Sequence, residues 1–158
     1  MKTIEKQKNN LGGIAKIWLI PSARISSALF DSLTEPEDLP VGWDANTWEM
    51  DPVFQSASFQ EESKVSAAGR YYENTVAFKI AYLGGGTIHF LKVAADDTHS
   101  ILIQDQNGGY LLVGNADFPM RLASSAKTGA DLSDLNHVLL TFAGMNTHPS
   151  IWVADPFV

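Results

Sequence analysis

Four histidines, a few neighbouring carboxylates, a triple glycine and two close tryptophans are the residues of this chain that could do chemistry. His89, His99, His137 and His148 are the nitrogen ligands and bases available. No two of them stand in an H-x-H or H-x-x-x-H spacing, so no local element would aim a pair at one metal ion. Cysteine is absent, which removes thiolate catalysis, disulfides and Cys-ligated zinc together. Asp96-Asp97 and the Asp131/Asp134 pair could act as acid/base carboxylates or calcium ligands. The D-x-D-x-D-G calcium spacing is missing, however, and acids in turns fix turns more often than they catalyse. Gly84-Gly85-Gly86 lacks the Lys-Ser/Thr that completes a P-loop and the G-x-G-x-x-G of a dinucleotide site, so it reads as a flexible strand-to-helix corner. No G-x-S-x-G presents a serine nucleophile. The expectation is a non-enzymatic chain without cofactor or metal.

Binding is better provided for. Trp43 and Trp48 flank Asp44 in a long acidic segment, Thr34 to Pro52, that also carries Pro36, Pro40, Gly42 and five further acids. An exposed indole stacks on sugars or anchors an interface, because it brings a large area at small entropy cost. The same pattern arises when both rings fold back on the core as loop anchors. Both readings stand at the level of sequence.

Composition narrows the partners. The chain has 158 residues, 45% hydrophobic and 18% charged, enough for one domain with a real core. The charged share is below the usual ~25%, which leaves neutral surface suited to packing against other subunits. A net charge of −7 disfavours specific nucleic-acid binding, which rests on clustered Lys and Arg. Lys2, Lys6 and Lys8 make only a short basic start, read with residues 1–10 as a flexible tail. No apolar run approaches the ~18 residues of a membrane span, and Lys16 interrupts the run that an export signal would need. The missing cysteine fits a reducing compartment or a bacterial or viral product, and no membrane partner is expected.

The elements that must position these residues are mostly strands, and residues 11–158 read as a single β-rich domain. Leu11 to Ser22 forms a strand with Ile14, Lys16, Trp18 and Ile20 on one face and Ala15, Ile17 and Leu19 on the other, ended or edged by Pro21. Ala23 to Leu33 reads as a second short strand. Val53 to Leu83 reads as two long strands around Ala67-Ala68-Gly69. In the second of these, Asn74, Val76, Phe78, Ile80 and Tyr82 form the inner face. Thr87 to Asp96 has Ile88, Leu91 and Ala95 at helical spacing with Thr87 as cap, so a short helix is expected, with a strand as the alternative that Ile88, Phe90 and Val93 leave open. Gln104 to Asn115, QDQNGGYLLVGN, reads as a hairpin turned on Asn107-Gly108, both at positive φ, with Gly109 as a bulge. Strands around Arg121 and Val138, joined by a polar connection from Ser124 to Asn136, and a terminal strand in SIWVADPF complete the pattern. The fold class is mainly β (α+β): an antiparallel β-sandwich or rolled β-barrel with one short helix against it.

Several of these stretches together resemble a family. The aromatic acidic segment precedes Phe59-Gln60-Glu61-Glu62-Ser63-Lys64 and Gly69-Arg70-Tyr71-Tyr72. Then follow the Asp105-to-Gly114 run, a Pro-x-Arg-Leu strand, Thr128-Gly129 and LLTFAG. Over roughly residues 50 to 152 the chain resembles small virion proteins of tailed phages and prophages of Bacteroidetes, of the tail-tube or tail-connector type. The resemblance implies a non-enzymatic protein that assembles with copies of itself or with other virion proteins, located in a virion or in the bacterial cytoplasm. Contacts would run through the hairpin at Gly69, Tyr71 and Tyr72 and through the loop holding Trp43, Asp44 and Trp48. The competing reading from the residues is a monomeric ligand-binding β-domain, with carbohydrate held by the Trp43/Trp48 loop.

Overall fold

The computed structural model describes residues 12–31, 36–81, 85–127 and 136–158. The expectations for residues 1–10, Tyr82, Gly84, Thr128-Gly129 and Asp131/Asp134 lie outside the described residues.

Strand β1, Ile14–Pro21, sets the architecture. Ile17 and Leu19 point to one face, Trp18 and Ile20 to the other, and all four are buried. A strand buried on both faces must lie inside its sheet and be covered from two sides. Accordingly β1 pairs antiparallel with β2 (Trp48–Met50) on one side and with β5 (His99–Asp105) on the other. Strands β6 (Tyr110–Val113) and β9 (Ile151–Val153) extend this sheet to the order β2-β1-β5-β6-β9. The facing sheet holds β3 (Ser58–Ser66), β4 (Gly69–Ala81), β7 (Arg121–Lys127) and β8 (His137–Asn146), in the order β3-β4-β8-β7. The two sheets touch at one corner, where His99 and Met120 exchange backbone hydrogen bonds at 3.0 and 2.8 Å, but each keeps its own edge strands, so among the described residues the fold is a sandwich and not a closed barrel.

Two cores result. Between the sheets, Ile17, Leu19, Ile101 and Ile103 meet Val76, Phe78, Val138, Leu140 and Phe142. The expected inner face of β4 is confirmed at Asn74, Val76 and Phe78. On the outer face of the five-stranded sheet, Trp18, Ile20, Leu102, Tyr110, Leu112 and Ile151 pack under Ile25, Phe30 and Trp43. Residues 22–31 thus form the cover of this second core, and not a strand. They make two 3-10 turns, Ser22–Arg24 and Ser27–Asp31. The serines supply the local alternative to a ladder: the Ala28 amide donates to Ser26 Oγ at 3.3 Å, and Ser22 Oγ lies 2.6 Å from Thr98 Oγ1.

The acidic segment is not a free loop. Glu37 bridges Val153, with the Glu37 amide donating to the Trp152 carbonyl at 3.2 Å and the Ala154 amide to the Glu37 carbonyl at 2.8 Å. Successive turns through Pro40–Thr47 then lead into β2. Helix α1, Gly85–Asp96, starts two residues before Thr87. Its buried stripe is Phe90 and Ala94, with Leu91 partly buried, while Ile88 is 48% exposed. The helical period is as expected but its phase is shifted by one residue. Tertiary packing selects the phase: Phe90 meets Trp48 edge-on at 5.2 Å, which ties the helix to the β2 edge. The polar connection after Arg121 is shorter than expected, because Ser124 to Lys127 stay paired with Leu140 to His137.

The β5–β6 hairpin uses a different turn from the one expected. Only Gly108 has a positive φ, 85°; Asn107 has not. The Gly108 amide donates to the Asp105 carbonyl at 3.2 Å, and the Asp105 carboxylate accepts from the Asn107 and Gly109 amides at 2.9 and 2.7 Å. This is a turn closed by Asp105, with the bulge on Gly108. Gly109 answers to packing instead: a Cβ there would stand 2.8 Å from the Trp152 ring.

Candidate functional site

The sequence-predicted residues fall in three places. Trp43 is 8% exposed, set edge-on to Phe157 at 5.6 Å, within the outer core. It is a loop anchor and offers no stacking face, which corrects its placing among the contact residues. Asp44 beside it is exposed, and its carbonyl accepts from the Thr47 amide at 3.1 Å. Trp48, five residues on, is 36% exposed. The two indoles therefore do not form one binding face. Trp43 enters the core and Trp48 faces a cleft, because the turns between them, with Asn46 at φ 61°, redirect the chain before β2 begins at Trp48.

Gly69, Tyr71 and Tyr72 come together in the β3–β4 hairpin. Gly69 takes φ 123° at the turn, where Ser66 Oγ donates to its carbonyl at 3.2 Å and accepts from the Ala68 amide at 3.2 Å. The third strand, β8, ends at Asn146 opposite Tyr72. Gly69–Tyr71 and their partners Lys64–Ser66 therefore run about three residues, ~10 Å, past the sheet. Phe59 pairs with core residue Val76, so Phe59, Glu61, Ser63 and Val65 share the core-facing side with Tyr72 and Arg70. That side leaves the sandwich and emerges with Val65 74% exposed. Lys64, on the opposite side, pairs with Glu73 and Glu62.

At the start of β3 lies a cleft of about 560 Å³ between residues of the two sheets. Phe59 and Glu61 form one wall, and Ile103, Leu111 and Trp152 the other. Its floor continues the inter-sheet core. Its polar rim is already committed: Glu61 Oε2 accepts from the Ser150 amide at 2.8 Å and from Ser150 Oγ at 2.7 Å, and Asp105 closes its own turn. Trp152, 43% exposed, was missed as a contact residue. The signal was its alternation with Ile151 and Val153 on a last, short strand, whose partner sheet the sequence does not reveal.

A second cleft, of about 540 Å³, lies at the other end of β1, between β2, the last turns of α1 and the start of β5. Trp48 lines it together with Asn46, Thr47, Asp97 and His99. Asn46 holds a left-handed φ of 61° that turns the chain into β2. His99 is 3% exposed, with its ring edge-on to Phe142 at 5.7 Å. Its Nε2 lies 3.2 Å from the Ala94 carbonyl, so Nε2 carries the proton and donates. Burial pulls its pKa below the ordinary histidine value, partly opposed by the Ala94 carbonyl and the Asp97 charge. His99, read from sequence only as one of four scattered histidines, is thus a neutral, buried member of a cleft wall.

Among the described residues no group of three or more His, Cys, Asp or Glu side chains could hold a metal ion, and no helix is long and apolar enough to cross a membrane. Compared with known proteins, the chain matches no family model, no curated protein and no solved structure.

Proposed function

We propose that this chain is a non-enzymatic, self-associating structural β-domain, working in a phage or prophage particle of the tail-tube or tail-connector kind that its sequence resembles. The supporting observation is the hairpin whose core-facing side runs off the end of the sandwich. This side carries Glu61, Ser63 and Arg70 among its apolar residues, and past the sandwich it presents Tyr72 and Val65, the latter at 74% exposure, as surface that a neighbouring subunit would cover. The open cleft below it adds Phe59, Leu111 and Trp152 to the same side of the molecule. A neighbouring copy covering this side with a different face of its own would make a heterologous contact, the geometry that closes into rings or stacks into tubes. The charged residues Glu62 and Lys64 on β3 keep its free edge from pairing indiscriminately, which leaves the hairpin face to set the contact.

Light scattering coupled to size exclusion, run across a concentration series, tests this. The native chain should populate assemblies that grow with concentration, and Val65→Asp should shift them to monomer while leaving thermal stability unchanged, because Val65 touches no core. A native chain that stays monomeric at the highest concentration reached, with and without seeds of preformed assembly, refutes the proposal.

A further inference from the structure

We propose that the cleft beside Trp48 binds the head of a small organic cation, a guanidinium or primary ammonium group, seated on the Trp48 ring with Asp97 as its counter-charge. This goes beyond self-association and uses the opposite end of the sandwich. Several observations select a cation over other ligands. The cleft is of a size that takes a small ligand, at about 540 Å³. Its aromatic member is a Trp, the strongest cation–π partner, and the edge contact with Phe90 at 5.2 Å holds the ring in place while a third of it stays open. The lining has one carboxylate, Asp97, and no Lys or Arg.

The remaining polar atoms are mostly acceptors. Thr47 Oγ1 donates its proton to the Trp43 carbonyl at 3.0 Å, leaving lone pairs. His99 donates through Nε2 to Ala94, so its Nδ1 is a bare lone pair, buried and without a partner. A buried acceptor left unmatched is costly, and a positive charge nearby stabilises it. His99 stays neutral because burial disfavours its charged form, so the imidazole does not repel a cation. An anion would meet Asp97 with no compensating charge. A neutral sugar needs several donors from the protein as well as acceptors, and the lining side chains offer N–H groups only at Asn46 and the Trp48 indole beside the bond His99 already makes to Ala94.

Agmatine is a suitable probe, with methyl glucoside as the neutral comparison. Both would be titrated into the 15N-labelled full chain and followed by amide and indole shifts. Agmatine should move the signals of Thr47, the Trp48 indole and Asp97, and the binding should weaken with added salt. Asp97→Asn, at an exposed position, should weaken it about tenfold, equivalent to ~1.4 kcal/mol. Trp48→Leu should abolish it, and Trp48→Phe should retain part, since Phe is the weaker cation–π partner. Absence of agmatine shifts at these residues overturns the proposal. So does binding unchanged in both Asp97→Asn and Trp48→Leu, or methyl glucoside binding the same residues as tightly. None of these outcomes bears on the oligomer series, so the two proposals fail separately.

Discussion

Replacing Trp43 and Trp48 by alanine, one at a time, separates the two readings of the acidic segment. Trp43 is 8% exposed and meets Phe157, with Trp18 and Tyr110 in the same cluster. A Trp so placed hides about 200 Å² from water. At ~25 cal/mol per Å² that is ~5 kcal/mol, an upper value because the unfolded chain already hides some of this surface. The cavity left behind adds to the loss, and core Trp→Ala changes fall at about 3–5 kcal/mol. For a domain of this size each kcal/mol shifts the melting temperature by about 2–4 °C, so Trp43→Ala should melt about 10 °C lower. Trp48 lies on a three-residue edge strand with a third of its surface open, so Trp48→Ala should cost only about 1–2 kcal/mol. Urea unfolding followed by far-UV circular dichroism measures both. A Trp43→Ala loss below about 1 kcal/mol, or one equal to that of Trp48→Ala, would refute the placing of the outer core.

Further substitutions probe the backbone and the buried histidine. Gly108→Val should destabilise by at least ~1–2 kcal/mol: the space around Gly108 is open, so the cost is the positive φ of 85° alone, and Gly108→Asn should recover much of it. Gly144→Ala, whose Cβ would stand 2.7 Å from Met120 Sδ and 2.9 Å from the Pro119 carbonyl, should cost about 1–3 kcal/mol by urea unfolding, whereas Gly12→Ala, in open space, should be near neutral. His99 has a folded-state pKa held below its unfolded value of about 6.5, so the unfolded chain binds its proton first as pH falls. Its contribution to stability is therefore whole above pH ~6.5 and declines as pH drops from there toward the folded value, by up to ~1.4 kcal/mol per pH unit. His99→Gln should flatten that limb of the stability–pH curve between pH 7 and 5; an unchanged slope would show that His99 is not the group responsible.

The strands were legible because a residue's face follows from its parity. The alternation of Ile17/Leu19 against Trp18/Ile20, and of Val76 and Phe78 with their neighbours, needs only the two-residue period of an extended chain. The β3–β4 turn at Ala67-Ala68-Gly69 and the hairpin at Gly108 were likewise readable, since a positive φ selects glycine locally. The strand expected over Ala23 to Leu33 gives way, in its described part, to 3-10 turns: apolar residues at Ile25 and Phe30 fit either element, and the choice falls to serine hydroxyls bonding nearby backbone and to the core below. The phase of α1 escaped for a similar reason: Ile88 and Phe90 are both apolar, and only the ring of Trp48, far off in sequence, decides which is buried.

The sequence by itself determined the class of the fold, its antiparallel strands and turns, and the absence of local metal, thiol and phosphate-loop motifs. These depend on residue types and short spacings. Tertiary structure alone decided that the five-stranded sheet is buried on both faces, that Trp43 is an anchor while Trp48 faces a cleft, and that His99 joins Asp97 and Thr47 in one wall. It also decided that the face of the Gly69 hairpin outruns the sheet, since β8 stops at Asn146. Each of these turns on which strands become neighbours across long stretches of chain, and burial is a property of that pairing and not of any one segment.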